Sequence, residues 1–396
     1  MNKLIVQKYG GATLADPEKI KAVSARIAKA SASGDSLIIV VSAMGKTTND
    51  LIALAQQVSK NPQRRELDML LTVGERISMS LVSMALNDQG CAAISFTGSQ
   101  AGILTNESHV SAFIQDVKAF RVEEALKEKK VVILAGFQGV SPKTKEITTL
   151  GRGGSDTTAV AMAAAFSADQ CEILKDVPAV FSADPKLIND AKPIHQLHYD
   201  QLMEMTFWGA KVLHYRSVEL AKLRNVKLYI GPAAHEGVRG TWVTKDREMF
   251  ETTKGLSLNT HESVIQIAIK GEYAGGSLKK LHQHLDQKQI AFPQILHTDY
   301  ANAETQLLVT GPKEVLTALI QELDHHNEIQ LKNKNLCTVT LTCTGVTSPE
   351  ISESVLGQLE KSKIQPHKMM MSPMSITVLL DQQSRDEALK ALHALI

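Results

Sequence analysis

Residues 4–20, LIVQKYGGATLADPEKI, contain a strand, a turn and the start of a helix. LIVQKY is a short apolar run typical of a buried strand, and Gly10 and Gly11 follow it directly. Asp16 is a suitable N-cap, and Pro17 suits the first position of a helix. The stretch therefore predicts a strand–turn–helix unit, which is the building block of an α/β domain.

The same alternation continues through about the first 230 residues. Further buried strands are predicted in SLIIVVSAM (36–44), VVILAGFQG (131–139) and CEILKDVPAVFSADP (171–185). Between these strands, apolar residues recur at the spacing of a helix, most clearly over 64–86. Strands that alternate with helices predict an α/β fold whose central sheet is mainly parallel.

The pattern changes after Gly231, where glycine and then polar residues become frequent. Beyond Val264 the order strand–helix–strand–strand–helix occurs twice, which is typical of small ferredoxin-like βαββαβ units. The sequence predicts one large domain over 1–245, a linker over 246–262, and two small domains over 263–330 and 331–396.

Composition excludes several classes of partner. The 396 residues carry a formal net charge of +1 and only 4% aromatic residues, which argues against nucleic acid and anionic membranes. No apolar run reaches the length of a membrane span, and the N-terminus does not resemble a signal peptide. The scattered cysteines, without a Cys-x-x-Cys pair, suggest reduced thiols and a cytoplasmic protein.

Two segments resemble nucleotide-binding motifs, but each lacks a glycine that its motif requires. GKTT at 45–48 resembles the end of a Walker A loop, but Val40 stands where that loop requires glycine. GRGGSD at 151–156 begins like a dinucleotide fingerprint, but Asp156 replaces its last glycine. The sequence therefore predicts neither a P-loop nor a Rossmann site.

Two other glycine turns could bind a charged ligand. Lys8 precedes Gly10 and Gly11, whose backbone N–H groups could approach an anion, although a structural turn with a solvated lysine is the preferred interpretation of that turn alone. Residues 152–156 offer a guanidinium, a hydroxyl and a carboxylate, a combination that suits a zwitterionic amino acid. An N-cap role for Ser155 and Asp156 is compatible with this interpretation but leaves Arg152 unexplained.

Eight segments, in order, resemble the signatures of the aspartate kinases: QKYGGATLADPEKI, VSAMGKTTNDLI, LLTVGERIS, FTGSQAGILT, AGFQGV, TTLGRGGSDTTAVAMAAA, DVPAVFSADP and GAKVLHYRSVELA. They span roughly residues 1–245, and 264–396 resembles the paired ACT domains of that family. The resemblance implies the amino-acid kinase fold, two C-terminal ACT domains, and ATP-dependent phosphorylation of the side-chain carboxylate of L-aspartate.

The resemblance also implies roles for individual residues. The implied catalytic residues are Lys8, Asp156 and Lys211. The implied aspartate pocket is Thr48, Glu75, Arg152, Ser155 and Asp156. The implied nucleotide-binding residues are Lys8, Gly10, Gly11, Lys175, Asp176, Phe181, Lys186, Gly209 and Lys211. Mg²⁺ would be held mainly by the phosphates of ATP, and no protein metal site is predicted.

The residues alone leave alternatives open at two of these positions. Glu75 could be an exposed helix carboxylate, and Lys211 an ordinary surface lysine. The chain also departs from the family pattern at Lys175, Ala179 and Lys186, which bears on how it binds the nucleotide. Lys175 stands where the family has Thr or Ser, and we hypothesise that it adds a phosphate contact.

The resemblance implies regulation and assembly as well. Lysine or threonine is the expected effector, and a homodimer or larger homo-oligomer is expected through the ACT domains. The rival functions are a different amino-acid kinase and a catalytically silent amino-acid sensor. Such a sensor should have lost Lys8, Arg152, Asp156 or Lys211, and the chain retains all four.

Overall fold

A computed structural model describes residues 3–233, 239–245, 254–271, 274–288, 290–301, 303–324 and 328–396. The described residues form two units. The first comprises 3–180, 193–206, 211–233 and 239–245, and the second comprises 181–192, 207–210 and the residues from 254 onward. The second unit therefore includes two short segments that the sequence assigns to the domain over 1–245.

The helices are α1 (Pro17–Ala32), α2 (Thr47–Val58), α3 (Arg64–Leu71), α4 (Val73–Asp88), α5 (Phe120–Lys127), α6 (Gly154–Ala165), α7 (Tyr199–Phe207), α8 (Tyr215–Arg224), α9 (Ala274–Gln287), α10 (Lys313–Leu323), α11 (Pro349–Lys361) and α12 (Arg385–His393), with 3-10 turns at Gly11–Leu14 and Gln382–Ser384. The strands of the first half of the chain are β1 (Leu4–Tyr9), β2 (Ser36–Val41), β3 (Ala93–Phe96), β4 (Ile103–Thr105), β5 (Ile114–Val117), β6 (Val131–Ala135), β7 (Gln138–Val140), β8 (Ile147–Thr149), β9 (Gln170–Lys175) and β10 (Val180–Phe181). The later strands are β11 (Pro193–Ile194), β12 (Gln196–His198), β13 (Leu228–Pro232), β14 (Thr241–Thr244), β15 (Gly255–Lys270), β16 (Gln294–Ala301), β17 (Glu304–Thr310), β18 (Ile329–Cys343), β19 (Lys368–Met371) and β20 (Ser375–Asp381).

An eight-stranded sheet in the order β12-β14-β13-β9-β1-β2-β6-β3 forms the centre of the first unit. All its pairings are parallel except that between β13 and β14. Strand β1 lies between β9 and β2, as its apolar sequence predicts for a strand buried on both faces. The predicted α/β class with a mainly parallel sheet is confirmed.

The side chains of β1 alternate between the two faces of the sheet, and this alternation determines the face on which Lys8 lies. Ile5 and Tyr9 belong to a core that includes residues of α1 and α4. Because successive side chains of a strand point to opposite faces, Val6 and Lys8 point to the other face. Helix α6 packs there, and its residues from Gly154 to Ala163 are all buried.

Residues Arg64–Asp88 are, within the described ranges, the one helical run long and apolar enough to cross a membrane. In this fold α4 packs Val82 and Leu86 into the core beneath the central sheet, and Asp68 and Glu75 are buried within the run. A core helix passes the same test of length and composition.

A smaller four-stranded sheet, in the order β5-β4-β7-β8, completes the first unit. Strand β8 ends at Thr149 and leads through Gly151 into α6. The small sheet therefore supports the turn that carries Arg152.

The second unit contains one six-stranded antiparallel sheet in the order β16-β17-β15-β18-β20-β19. The order β15–α9–β16–β17–α10–β18 is the predicted ferredoxin-like βαββαβ unit. The second such unit has α11, β19, β20 and α12 after β18, and 255–261 of β15 pair with 338–343 of β18 to give its remaining strand. Strands β15 and β18 thus belong to both halves.

Strand β15 begins inside the stretch that the sequence predicts as a linker, 246–262. Residues 246–253 lie outside the described residues, but Gly255–His261 pair with β18. The linker prediction rests on the polar stretch TKDREMFETTKG, which runs into the start of this strand, where Ser257 and Asn259 alternate with leucines. Both polar residues are buried.

The segment from Phe181 to Lys192 belongs to the second unit, whereas the sequence predicts it as part of the domain over 1–245. Ala183 and Ile188 belong to a core with Leu258 and with residues of β18, β20, α11 and α12. The backbone N–H of Leu258 donates to the carbonyl of Ser182 at 2.6 Å. The apolar residues of this short loop give no local sign of which core they join.

Candidate active site

Lys8 and Asp156 form a buried ion pair at the carboxyl end of β1. The Nζ of Lys8 lies 2.6 Å from Oδ1 of Asp156, and the two residues are 6% and 5% exposed. Burial opposes ionisation of Asp156, but Lys8 and Lys175 outweigh it and hold the pKa of Asp156 below its usual value. The interpretation of Lys8 as a solvated lysine is therefore wrong.

The turn between β8 and α6 places Asp156 and Ser155 in the first turn of a buried helix. Gly151 and Gly153 have φ of 73° and 68°, the left-handed region that favours glycine. Ser155 lies against the end of β6, since a Cβ on Gly136 would come within 2.8 Å of its Oγ. The N-terminus of α6 adds N–H groups and a positive dipole end to this region.

Two further turns meet beside Lys8. The N–H of Gly45 donates to the carbonyl of Gly11 at 3.0 Å, and a Cβ on Gly11 would lie 2.6 Å from the carbonyl oxygen of Ala43. Gly10 has ordinary extended backbone angles, and a Cβ there would come no closer than 3.8 Å, to Lys8 Nζ. The close backbone approach thus requires glycine at position 11 rather than at position 10.

Glu75 brings a second buried carboxylate to the same place. It is 4% exposed, so the alternative of an exposed helix carboxylate is excluded. Its Oε1 accepts a hydrogen bond from the N–H of Ala43 at 3.0 Å, whereas its buried Oε2 has no partner among the described residues. Burial raises the pKa of Glu75 to about 7, and the charge of Lys8 opposes that rise.

Lys175 adds a second ammonium group near Asp156. It ends β9, the strand next to β1, and its Nζ donates to the carbonyl of Val212. Burial lowers the pKa of Lys175, the charge of Asp156 raises it, and Lys8 lowers it again. Lys8 and Lys175 thus place two ammonium groups near the carboxylate of Asp156, and these ammonium groups suit a phosphate group.

The remaining predicted residues of the first unit lie at its surface or near it. Thr48 is half-buried at the start of α2, and Asp176, Arg152 and Lys211 are exposed. Lys211 directly precedes Val212, the residue that Lys175 contacts.

Phe181, Lys186 and Gly209 belong to the second unit. Phe181 lies in the short strand β10, and the N–H of Lys186 donates to Oδ1 of Asp184 at 2.9 Å. Gly209 has φ of 105°, and a Cβ there would lie 2.3 Å from the carbonyl oxygen of Thr260. Their part in nucleotide binding stays a prediction.

His214 is a residue that the sequence prediction missed. A Cβ on Gly153 would lie 2.2 Å from the Cβ of His214, so this histidine packs against the turn that carries Arg152. Burial, with the nearby charge of Arg216, lowers the pKa of His214 to about 4, so the imidazole is neutral at pH 7. Its place in the segment GAKVLHYRSVELA is the signal that could have identified it.

The residues described by the structure contain no group of three or more His, Cys, Asp and Glu that could hold a metal ion. Asp156 is paired with Lys8, and the charge of Lys8 also acts on Glu75. This donor set fits an anionic phosphate and an organic cation better than a bare divalent metal.

Comparison with known proteins identifies the family. The model of the amino acid kinase family matches residues 3–232. An aspartokinase of Mycobacterium tuberculosis strain H37Rv is 40% identical over 402 residues, covering 98% of this chain and 95% of the relative. An aspartokinase of Geobacillus stearothermophilus is 36% identical over 398 residues, covering 98% and 96%.

Solved structures share the fold. E. coli aspartokinase III in complex with aspartate and ADP (R-state) has a TM-score of 0.80 at 20% identity, with both chains fully covered. The same enzyme in complex with lysine and aspartate (T-state) has a TM-score of 0.71 at 20% identity, with 99% of each chain covered. With relatives of 36% and 40% identity along nearly its whole length, the chain belongs to the aspartokinases of the amino acid kinase family.

Proposed function

We propose that this chain transfers the γ-phosphoryl group of ATP to the side-chain carboxylate of L-aspartate, giving 4-phospho-L-aspartate. This is the first step of the pathway to the aspartate-derived amino acids. The observation that supports it best is the buried Lys8–Asp156 pair, together with the buried Oε2 of Glu75, which has no partner in the part of the chain that the structure describes. A cationic centre for phosphate and an anionic centre for ammonium lie side by side there.

On the phosphoryl side, Lys8 would neutralise the charge that spreads over the transferred group. Asp156 would fix the position of the Lys8 ammonium, and the N–H groups of Gly10 and Gly11 would approach the phosphate oxygens. Lys175 would add a second positive charge, and Lys211 would bind the nucleotide phosphates. Mg²⁺ would enter with ATP and would offset the charge of its phosphates.

On the aspartate side, the three charged groups of the substrate need three complements. The guanidinium of Arg152 would bind a carboxylate through two parallel hydrogen bonds. The free oxygen of Glu75, together with Asp156, would receive the ammonium group. Thr48 and Ser155 would add hydroxyl contacts, and the reacting carboxylate would then face the phosphate held by Lys8.

The nucleotide site would be completed by Asp176, Phe181, Lys186 and Gly209. Phe181 has an aromatic face for the adenine, and Asp176 a carboxylate for the ribose. Lys186 carries a positive charge but lacks the planar fork of an arginine, so its phosphate contact would be less directional.

The test is trapping of the acyl phosphate. Purified protein is incubated with MgATP, L-aspartate and hydroxylamine, and the hydroxamate is measured. We expect aspartate-dependent product, which Lys8→Ala should reduce by about 10²–10³-fold, the effect of losing one preorganised charge-stabilising group. Lys175→Thr should raise the KM for ATP and leave the KM for aspartate near its original value.

Other outcomes would separate the rival functions. A folded, ATP-binding protein that forms no hydroxamate with aspartate would contradict the proposal and favour the silent sensor. Product formed with another amino acid instead would favour a different amino-acid kinase. An unchanged ATP dependence in Lys175→Thr would show that Lys175 does not contact the nucleotide.

The domain roles follow from the same proposal. Residues 1–245 would carry catalysis, and 263–330 and 331–396 would act as ACT-type regulatory domains. Lysine or threonine would bind there and inhibit, and the E. coli aspartokinase III structure in complex with lysine supports lysine as a ligand. We propose that the chain works in the cytoplasm as a homodimer or larger homo-oligomer. Adding each amino acid to the hydroxamate assay, and measuring the mass in solution, tests both points.

A further inference from the structure

The turn that carries Arg152 is closed by one hydrogen bond, from the Gly154 N–H to the Gly151 carbonyl at 3.0 Å. Arg152 is exposed and lies between Gly151 and Gly153, both in the left-handed region. Glycines lose more conformational freedom on ordering than any other residue, so such a turn needs fixed flanks to hold one geometry. The flank on its N-terminal side is Thr149 and Leu150, at the end of β8.

Asp68 of α3 holds Thr149. This carboxylate is fully buried and accepts a hydrogen bond from the Thr149 hydroxyl at 2.5 Å and from the Val110 N–H at 3.0 Å. Its second oxygen lies 2.6 Å from Nδ1 of His109. Burial raises the pKa of Asp68, and the bonds from Thr149 and His109 oppose this rise. Asp68 therefore joins α3 to two segments that lie far away in sequence.

Arg216 of α8 holds Leu150 from another element. Its guanidinium donates to the carbonyl of Leu150 at 2.8 Å and to the carbonyl of Ala112 at 2.9 Å. The same group lies over the ring of Phe113, 4.3 Å from its centroid. A planar guanidinium can make two such bonds in fixed directions, which a lysine cannot do.

The two side chains act on the same pair of segments. Asp68 contacts Val110 and Thr149, and Arg216 contacts Ala112 and Leu150. These segments also bond to each other, since the N–H of Ala112 donates to the carbonyl of Thr149 at 2.9 Å. Asp68 thus binds the side chain of Thr149 and Arg216 the carbonyl of Leu150, the two residues immediately before Gly151.

We propose that Asp68 and Arg216 are positioning residues that aim Arg152 and so set the affinity for aspartate. The inference rests on the proposed function, because it takes Arg152 as the group that binds the substrate carboxylate. Displacement of a binding group by about 1 Å can cost 10²-fold in rate, so a fixed turn matters even though neither residue contacts the substrate.

The experiment compares Asp68→Asn and Arg216→Lys in the full chain by the hydroxamate assay. We expect the KM for aspartate to rise by about tenfold or more in each, while the KM for ATP changes by less than about twofold. Glu66→Gln on α3 and Arg224→Lys on α8 are matched controls, because both side chains are exposed. These controls should keep both KM values unchanged.

A double-mutant cycle separates positioning from a merely structural role. If Asp68 acts through Arg152, Asp68→Asn should have little further effect on the KM for aspartate in an Arg152→Ala background. Thr149→Val, which removes one hydrogen bond and keeps the shape, gives the same comparison should Asp68→Asn fail to fold. It should also raise the KM for aspartate selectively.

Two results would overturn the inference. One is an equal rise in both KM values, and the other is a full additional effect in the Arg152→Ala background. Absence of any product from the unaltered chain would instead overturn the proposed function, so the two failures are distinguishable.

Discussion

Glu75 has one carboxylate oxygen bonded to Ala43 and one buried without a partner among the described residues. Its pKa of about 7 in the folded chain lies above its ordinary value of 4.5. The folded state therefore binds this proton more tightly than the unfolded state. The resulting stabilisation is complete below pH 4.5 and is lost as the pH rises through 7.

We predict that Glu75→Gln stabilises the ligand-free protein at pH 8 but not at pH 5. Glutamine keeps an oxygen for the Ala43 N–H and cannot ionise, so it avoids a cost of about 3 kcal/mol at high pH. Thermal unfolding at the two pH values measures this, with the exposed Glu66→Gln as control. The same variant should lose aspartate binding, and a Tm difference that is equal at both pH values would contradict the argument.

At the scale of the residue, local motifs identify some site residues and not others. Lys8 precedes a glycine turn and Asp156 follows one, each next to an apolar run, so the sequence shows both their chemistry and their place at a strand or helix end. Asp68 lies in no such motif, and Arg216 lies in the segment GAKVLHYRSVELA, which gives no sign of its contacts. Their partners Thr149 and Ala112 lie 81 and 104 positions away. Only the packing of α3 and α8 brings them together.

At the scale of the element, a close backbone contact restricts which residues the turn after β1 can hold. We predict that Gly11→Ala lowers stability by about 1–3 kcal/mol, since its Cβ would overlap the Ala43 carbonyl and force the backbone apart. Gly10→Ala is the matched control, because its angles are ordinary and its nearest atom is 3.8 Å away. Comparing the two Tm values checks this, and equal losses would show that the contact does not limit the turn.

Elements with standard end signals are predictable from sequence, and those without them are not. Helix α1 begins as predicted, with Asp16 accepting a hydrogen bond from the Lys19 N–H and Pro17 as its first residue. The first part of β15 has no such signal, since it follows a polar stretch that predicts a linker and its buried residues include Ser257 and Asn259. Pairing with β18, not the local sequence, makes those residues a strand.

At the scale of the whole molecule, the fold class follows from the order of strands and helices, but the division into units does not. The loop with Ala183 and Ile188 is encoded among the residues of the first unit and belongs to the core of the second. Its few apolar side chains do not show from the sequence which core they enter.

We predict that a chain truncated after residue 245 will be unstable and inactive. Truncation removes the strands and helices that cover Ala183, Ile188 and their neighbours, and leaves an apolar loop exposed. Soluble yield and hydroxamate formation measure the effect. Co-expression of 246–396 as a separate chain is the control and should restore part of both, whereas a fully active truncated chain would contradict the prediction.

The sharing of β15 and β18 by both halves of the six-stranded sheet has a consequence for the order of folding. The first half lies between His261 and Thr338, which are paired across the two strands. The second half therefore cannot close until the ribosome has made both ends of the first. Once the first half has formed, it brings those ends together and removes most of the loop-closure entropy of joining them. We therefore expect the first half of the sheet to fold early. The second half should then form by pairing of the two strand ends that the first half has brought together.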